Sequence, residues 1–376
     1  ECYSWQGVAL LALFVVLFVL QLYYYVVLYY RIYTYRLTRR SKICSDPAIS
    51  VIVVVRGENE YFLTDELPAL LHQQYSAYEI VVVYVGGDMD YYGELQRIKD
   101  ECDYMRLTKM GGNERLYITT KQALNVGIKS AQYDALLFTA PGVVARSERW
   151  IEIMSAGFEY GSVVVGPALP QFEKRSLKNY LLLMAEVDQM RAALAGAVTG
   201  NFYFAPRTNF GFRRELYNGT KGFDYLCMDI GENDLYLHSI TTPKNLSVVL
   251  SPYAVLHEAR LGVWREWLEV MRFGRATRRH YPSGVMSSHR WEMWSRVLLF
   301  VVAIVMIAIM PLEVKLLAVA LLLLRYAAVL LSTARVLRRL GQRGLMLKYW
   351  LYDIVGPAVE LIIDSRSCKN KTAPWK

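Results

Sequence analysis

The sequence predicts an α/β domain built on a mainly parallel sheet, with transmembrane helices at both ends of the chain. Three observations predict it. Short β-branched runs alternate with helical patterns from residue 49 to 165, at a spacing that demands crossover connections rather than hairpins. Apolar stretches too long for a soluble core stand near both ends, at 7–30 and 297–331. Clusters of arginine and lysine follow both stretches.

Composition bounds the function classes. A chain of 376 residues holds one domain of roughly 250 residues plus membrane segments. Aromatic residues at 13% and apolar residues at 54% exceed what a soluble domain needs, and the excess sits mainly at the two ends. The net charge of +9 comes from basic residues beside apolar runs. Anionic lipid headgroups are therefore the expected partner, and nucleic acid is not. The five cysteines (Cys2, Cys44, Cys102, Cys227 and Cys368) are odd in number and lack metal-type spacing. They point to a reducing compartment without a disulfide framework.

Gly7 to Tyr30 runs without a charge, with Gln21 its only strongly polar side chain. A cleaved signal would carry its charge before the apolar run. Here Arg31, Arg36, Arg39, Arg40 and Lys42 come after it, which predicts an uncleaved anchor with the next domain in the cytoplasm. The tyrosines from Tyr23 to Tyr35 suit an aromatic belt at that face.

The predicted elements then run in order. Ile49 to Val55, between Pro47 and Gly57, is a buried first strand, and Asp65 to Gln74 a helix. Glu79 to Val85 is a second strand closed by Gly86-Gly87, Tyr91 to Cys102 a helix, and Met105 to Leu107 a short third strand. Ile118 to Ser130 is a helix whose Ala123, Gly127 and Ala131 make a close-packing edge. Ala135 to Thr139 is a strand delivering the loop Ala140-Pro141-Gly142 to a cleft edge; a helix from Glu148 to Gly157 and a strand from Ser162 to Val165 follow. Beyond Pro170 come a long helix, Leu177 to Ala197, and an aromatic, irregular stretch from Asn201 to Phe212. A loop from Gly222 to Asp229, a helix from Glu232 to Ile240 and a strand from Ser247 to Leu250 complete the domain.

Val263 to His280 is a helix with Trp264, Trp267, Leu268 and Met271 on one side and Arg265, Arg272, Arg275, Arg278 and Arg279 around the rest. It reads either as a helix lying in the headgroup plane or as a domain helix with a solvated basic face. Val297 to Met310 and Leu316 to Leu331 form a transmembrane hairpin, with Glu313 and Lys315 at its outer turn. Arg325 lies inside the second span, where charge is costly; it contacts a partner helix, snorkels, or pairs within the bundle. Met346 to Ile363, interrupted by Asp353, Gly356-Pro357 and Glu360, reads as a re-entrant or interfacial helix. The expected division is an anchor with its basic segment (1–42), a cytoplasmic domain (43–262), an interface-helix region (263–295), a hairpin (296–340), and an interfacial helix with a basic tail (341–376).

Pro47-Ala-Ile-Ser-Val-Ile-Val-Val-Val-Arg56-Gly-Glu-Asn59-Glu resembles the opening strand and loop of family 2 glycosyltransferases of the GT-A fold. The similarity continues through Leu70–Tyr75, Glu79–Val83, Lys121–Ile128, Ala135–Trp150, Asn209–Leu216 and Gly231-Glu232-Asn233-Asp234-Leu235. The anchor, domain and hairpin resemble the membrane-bound branch of that family, so the resemblance covers nearly the whole chain. It implies a nucleotide-diphospho-sugar transferase-like domain with a set of demanding groups. An aspartate after the second strand binds the nucleobase, and an Asp-x-Asp after the fourth holds Mg²⁺ or Mn²⁺ against the diphosphate. A further carboxylate deprotonates the acceptor hydroxyl.

Carried over position by position, most of those groups fall on residues that lack the chemistry. The nucleobase aspartate falls at Val85, and the metal pair at Ala140 and Gly142. The base falls at Glu232, a longer carboxylate, with Asp234 two residues on, and the Gln-x-x-Arg-Trp segment that the resemblance also implies falls near Val270–Gly274, where Arg272 stands without the Gln or the Trp. No metal ligand remains in the loop, so no cofactor is expected; Mg²⁺ or Mn²⁺ would enter only an active form. Asp88-Met89-Asp90 offers a literal Asp-x-Asp but stands where a carboxylate caps a helix. Metal and oxyanion-type stabilisation is worth several kcal/mol per group, so losing three partners at one site argues for lost activity.

The first expectation is therefore a pseudo-glycosyltransferase serving as a structural or regulatory subunit of a membrane complex. Its contacts would be membrane lipids and protein partners through the aromatic residues Phe202, Tyr203, Phe204 and Phe210, the hairpin and Arg325; the missing carboxylates argue against a nucleotide sugar. The alternatives are an active inverting transferase, with Glu232 and Asp234 catalytic and Arg56, Lys121 and Arg272 on the phosphates, and a non-catalytic glycan or nucleotide binding module. The expected location is a bacterial inner membrane, with the globular domain in the cytoplasm.

Overall fold

The computed structural model describes residues 5–37, 46–111, 118–172, 174, 176–223, 231–260, 262–342 and 349–367. Arg39, Arg40, Lys42, Lys369, Lys371, Lys376 and every cysteine except Cys102 lie outside them, as does most of the expected loop from Gly222 to Asp229. The chain divides into a helical unit (Glu1–Tyr35, Ser176–Ala195, Val263–Lys376) and a sheet unit (Arg36–Arg175, Gly196–Gly262).

In chain order, α1 (Trp5–Leu22) passes through a π-helical stretch, Tyr23–Leu28, into α2 (Tyr30–Thr34). Next come β1 (Ile49–Arg56), a π-turn at Phe62–Glu66 leading into α3 (Leu67–Leu71), β2 (Tyr78–Val85), α4 (Met89–Glu101), β3 (Met105–Met110) and α5 (Thr120–Ser130). They are followed by β4 (Ala135–Thr139), β5 (Val143–Val144), α6 (Trp150–Ser155), β6 (Val163–Val165), β7 (Ala168–Phe172) and α7 (Leu177–Val198). Then β8 (Phe210–Arg213), α8 (Arg214–Asn218), a π-turn at Glu232–Tyr236 into α9 (Leu237–Ile240), β9 (Leu246–Val248) and β10 (Leu256–Arg260) close the sheet unit. The chain continues with α10 (Trp264–Gly274), α11 (Ser283–Ile309), α12 (Leu312–Arg339) and α13 (Tyr349–Ser367).

Seven strands form the main sheet in the order β3-β2-β1-β4-β8-β6-β9. It is mostly parallel, as the alternating pattern predicts; β8 alone runs antiparallel to both its neighbours. The stretch 201–212, expected to be irregular throughout, thus ends in a central strand. Phe210 and Phe212 on β8 stack on Phe138 of β4, with ring centroids 4.8 and 4.9 Å apart. Both are buried, and so is Phe202, so these aromatic side chains fill a core and do not line an open cleft. On one face of the sheet, Val51, Val53, Val55 and Val82 pack under residues of α3, α4 and α6, each fully buried aliphatic side chain contributing roughly 1.5–3 kcal/mol. On the other face α5 approaches closely: a Cβ on Gly127 would stand 2.7 Å from Ile52 Cγ2. A second sheet, β5-β10-β7, was not legible, because its strands are too short to show a period.

Among the described residues of the helical unit, three helices, Trp5–Thr34, Ser288–Ile309 and Leu312–Arg339, are long and apolar enough to cross a membrane. The helix expected from Val297 begins at Ser283, and the one expected from Leu316 runs from Leu312 to Arg339. Phe14, Leu17 and Phe18 of α1 pack with Leu299, Val302 and Met306 of α11. Arg325 pairs within the bundle, which decides among its three alternatives. Its guanidinium donates to both oxygens of Asp353 at 2.6 and 3.0 Å and to Gln21 Oε1 at 2.7 Å. Gln21 Nε2 in turn donates to Ser295 Oγ at 2.8 Å. The helix expected from Val263 to His280 ends at Gly274, and its basic residues are partly consumed in the same way, since Arg275, just past the end of α10, is buried against Glu360 and Asp364.

Back in the sheet unit, one fully buried amide joins the two sheets. Asn209 Nδ2 donates to the Pro167 carbonyl at 2.8 Å and the Ala254 carbonyl at 2.7 Å, and Asn209 Oδ1 accepts from Trp150 Nε1 at 3.2 Å. All of its side-chain capacity but one acceptor lone pair is used. Asn209→Leu leaves the Ala254 carbonyl and the Trp150 indole N–H without partners, while the Pro167 carbonyl keeps the Leu256 N–H, so a loss of about 2 kcal/mol or more in the stability of the sheet unit is expected, read as a lower denaturation midpoint in detergent.

Candidate functional site

The order of the main sheet changes direction between β1 and β4, because the chain moves outward from β1 to β2 and β3 and then returns to the other side. Open α/β sheets hold ligands at the carboxyl ends of strands beside such a point. The parallel register sets Arg56 beside Val85 and Val53 beside Thr139. Arg56, Val85, Ala140 and Gly142 therefore share one edge. Arg56 is exposed and its Nη2 donates to Thr120 Oγ1 at 3.2 Å, in the first turn of α5. That turn is fixed by a capping box between Thr119 and Gln122, and half-buried Lys121 follows Thr120. Two candidate phosphate ligands are brought together here.

The loop after β4 has its backbone committed. Gly142 holds φ +92°, a conformation favouring glycine, and its N–H donates to Glu66 Oε1 at 2.6 Å. The Gly142 carbonyl accepts from the Ala259 N–H at 2.9 Å, and the chain enters β5 against β10. Glu66 is buried at the end of its π-turn, and burial pushes its carboxyl up to about 7 against the pull of the Gly142 and Val143 N–H groups. The neighbouring residue of β10, His257, is pulled down to about 4 by burial and then by the charge of Arg146, so it is neutral at pH 7. Glu258 accepts from Thr208 Oγ1 at 3.1 Å.

Ala140, Pro141 and Gly142 offer no side-chain donor to a divalent ion, and among the described residues no group of three or more His, Cys, Asp or Glu is arranged to hold a metal. The residues at this edge do not fit a metal ion. Asp88 caps α4, accepting from the Tyr91 N–H at 2.8 Å. That bond and the neighbouring Glu58 hold its carboxyl below the usual range, while Asp88 pushes Glu58 up.

Glu232 and Asp234 are both buried in the π-turn that follows Gly231, which holds φ +119°. Glu232 Oε1 accepts from Arg207 Nε at 2.7 Å and pairs with Arg207 Nη2 at 2.5 Å; Glu232 Oε2 is buried and makes no hydrogen bond. Asp234 Oδ1 accepts from the Leu235 N–H at 2.6 Å. Arg272 belongs to the helical unit, where its Nε and Nη2 are buried without hydrogen-bond partners. Sequence reasoning missed Glu66, Arg207 and His257. Only the capping pattern near Asn59, whose Oδ1 accepts from the Phe62 N–H at 3.0 Å, hinted at the turn that aims Glu66.

No protein-family profile and no curated protein sequence matches the chain. Solved structures do. The mannosyltransferase PcManGT from Pyrobaculum calidifontis, in complex with GDP-Man and Mn²⁺, aligns over 92% of this chain and 99% of its own, with a TM-score of 0.53 and 16% identity. TarS of S. aureus (residues 1–349) aligns over 81% of this chain and 91% of its own, with a TM-score of 0.41 and 14% identity. On the first of these the chain has a glycosyltransferase-like fold.

The Glu66 contact predicts a pH dependence. A carboxyl raised in the folded state stabilises below its ordinary range, and that contribution is lost as pH rises through about 7. Wild-type stability in detergent is expected to fall between about pH 4.5 and about 7 through this group. Glu66→Gln, which keeps the acceptor for Gly142, should match wild type at pH 5 and unfold at a higher temperature at pH 8.

Proposed function

We propose that this protein is a membrane-anchored, GT-A-type, family 2-like glycosyltransferase homologue that does not transfer sugar and serves as a structural or regulatory subunit of a membrane protein complex. Its globular domain would lie on the cytoplasmic face of a bacterial inner membrane. The observation carrying this reading is the loop after β4. Its side chains supply no carboxylate, and its central N–H and C=O are occupied by Glu66 and Ala259. Val85 in the nucleobase position adds to it. PcManGT was solved with GDP-Man and Mn²⁺; this loop has nothing to offer that pair. Titrating the purified chain with GDP- and UDP-sugars, with and without Mn²⁺, is expected to show no metal-dependent binding. Tight, Mn²⁺-dependent binding sinks the proposal, and metal-independent binding without product turns it into a nucleotide or glycan binding module.

One observation favours a second reading, an active inverting transferase acting on a lipid-linked or polysaccharide acceptor. Glu232 has one oxygen clamped by Arg207 and the other without a partner, as a base awaiting an acceptor hydroxyl would. Arg56 and Lys121 would hold the phosphates. On this reading Glu232→Gln abolishes sugar transfer in isolated membranes; unchanged turnover removes the base.

A further inference from the structure

The helix α13 buries two carboxylates. At about 100° per residue, Tyr349, Asp353, Glu360 and Asp364 fall within about 60° of one another. That stripe faces the bundle. Tyr349 Oη donates to Asp188 Oδ1 at 3.0 Å, Asp353 takes the Arg325 guanidinium at 2.6 and 3.0 Å, and Glu360 takes Arg275 at 2.8 and 2.9 Å. Asp353 is 0% exposed. The opposite face carries Trp350 (51% exposed), Ile354 (51%), Leu361 (44%) and Ile362 (44%), with exposed Ala358 between them. A helix in water buries its apolar stripe and shows its charges; α13 buries Asp353 and Glu360 together with Tyr352, Val359 and Ile363 and leaves a second apolar face exposed.

The ion pairs fix the rotation of the helix, so the apolar face cannot roll inward without breaking buried charges apart. They also fix its inclination. Arg325, the partner of Asp353, lies near the middle of α12, whereas beside Glu360 stand Arg275, which precedes α11, and His289, at the first turn of the apolar span Ser288–Ile309. The exposed face continues surfaces of the same character within the helical unit: Trp291 and Trp294 stand exposed on α11 ahead of Leu298 and Val301. Tryptophan at the rim and aliphatic side chains beyond it mark a membrane boundary.

We propose that the outward face of α13 is a lipid-binding surface whose occupant is the acyl chains of the bilayer. The helix lies obliquely in the interfacial layer, fastened by its charged side and wetted by lipid on its apolar side. This holds whether or not the sheet unit transfers sugar.

The full chain, with its five cysteines replaced by serine, is reconstituted in phosphatidylcholine–phosphatidylglycerol vesicles and nitroxide-labelled through Ile354→Cys, Leu361→Cys or, as a water-facing reference, Asp100→Cys. Labels at 354 and 361 are expected to collide with oxygen severalfold more than with a water-soluble nickel chelate, and the label at 100 to show the opposite preference. Free access of the chelate to 354 and 361 overturns the proposal, because the face is then in water. Exclusion of both reagents overturns it too, because protein then covers the face. A cysteine-independent check is quenching of tryptophan fluorescence by brominated lipids. Trp350→Phe should remove part of the quenchable signal, and an undiminished signal counts against lipid contact.

Discussion

The sheet unit depends on the side-chain amide of Asn209. It stands at the start of β8, the strand that runs against the direction of its neighbours, and ties that strand to the turn after β6, to the turn before β10 and to Trp150 of α6. Those turns carry β7 and β10 of the small sheet, and β10 in turn holds β5 and the loop after β4. A single amide thereby sets where the cleft edge lies. Such a group works because both its donors and its acceptor are matched in a dry interior, where an unmatched one is costly.

Legibility followed period and length. The β-branched runs of β1, β2 and β4 and the small-residue edge of α5 were readable because burial on both faces, or close approach, leaves a mark on every residue. The strand β8 was hidden inside a stretch of aromatic residues and asparagine, whose local signal is ambiguous. The small sheet was hidden because strands of two to five residues carry no period. At the site, Ala140, Gly142 and Val85 could be located by alignment of motifs. The partners that give those positions meaning could not: Glu66 reaches Gly142 across 76 residues, and Arg207 reaches Glu232 across 25. Such pairings are products of the tertiary fold and leave no trace in neighbouring sequence.

In the helical unit the governing constraint is charge neutrality in a low-dielectric setting. The buried guanidinium of Arg325 is matched by Asp353 and Gln21, and Arg296 by Glu292 at 2.8 Å. Arg191 pairs with Asp188 at 2.7 Å and lies over the ring of Tyr29 at 4.3 Å from its centroid. Removing one member of such a pair leaves an uncompensated charge, so the set is retained or lost as a whole. The sequence reading treated Arg325 as a possible handle for an outside helix. The structure uses it internally, in the pair with Asp353.

The left-handed backbone at Gly142 bears on evolutionary change. Alanine and glycine codons can lie one base change from aspartate codons, so the composition of the loop alone would make an acidic pair easy to acquire. The geometry resists that route. An aspartate at 142 would sit at φ +92°, a strain of roughly 1–3 kcal/mol for a residue with a side chain, and its charge would arrive beside the buried carboxyl of Glu66. Introducing such a pair would need a rebuilt turn and a replaced Glu66 together. The contact that holds the present loop is also a barrier to acidic chemistry there.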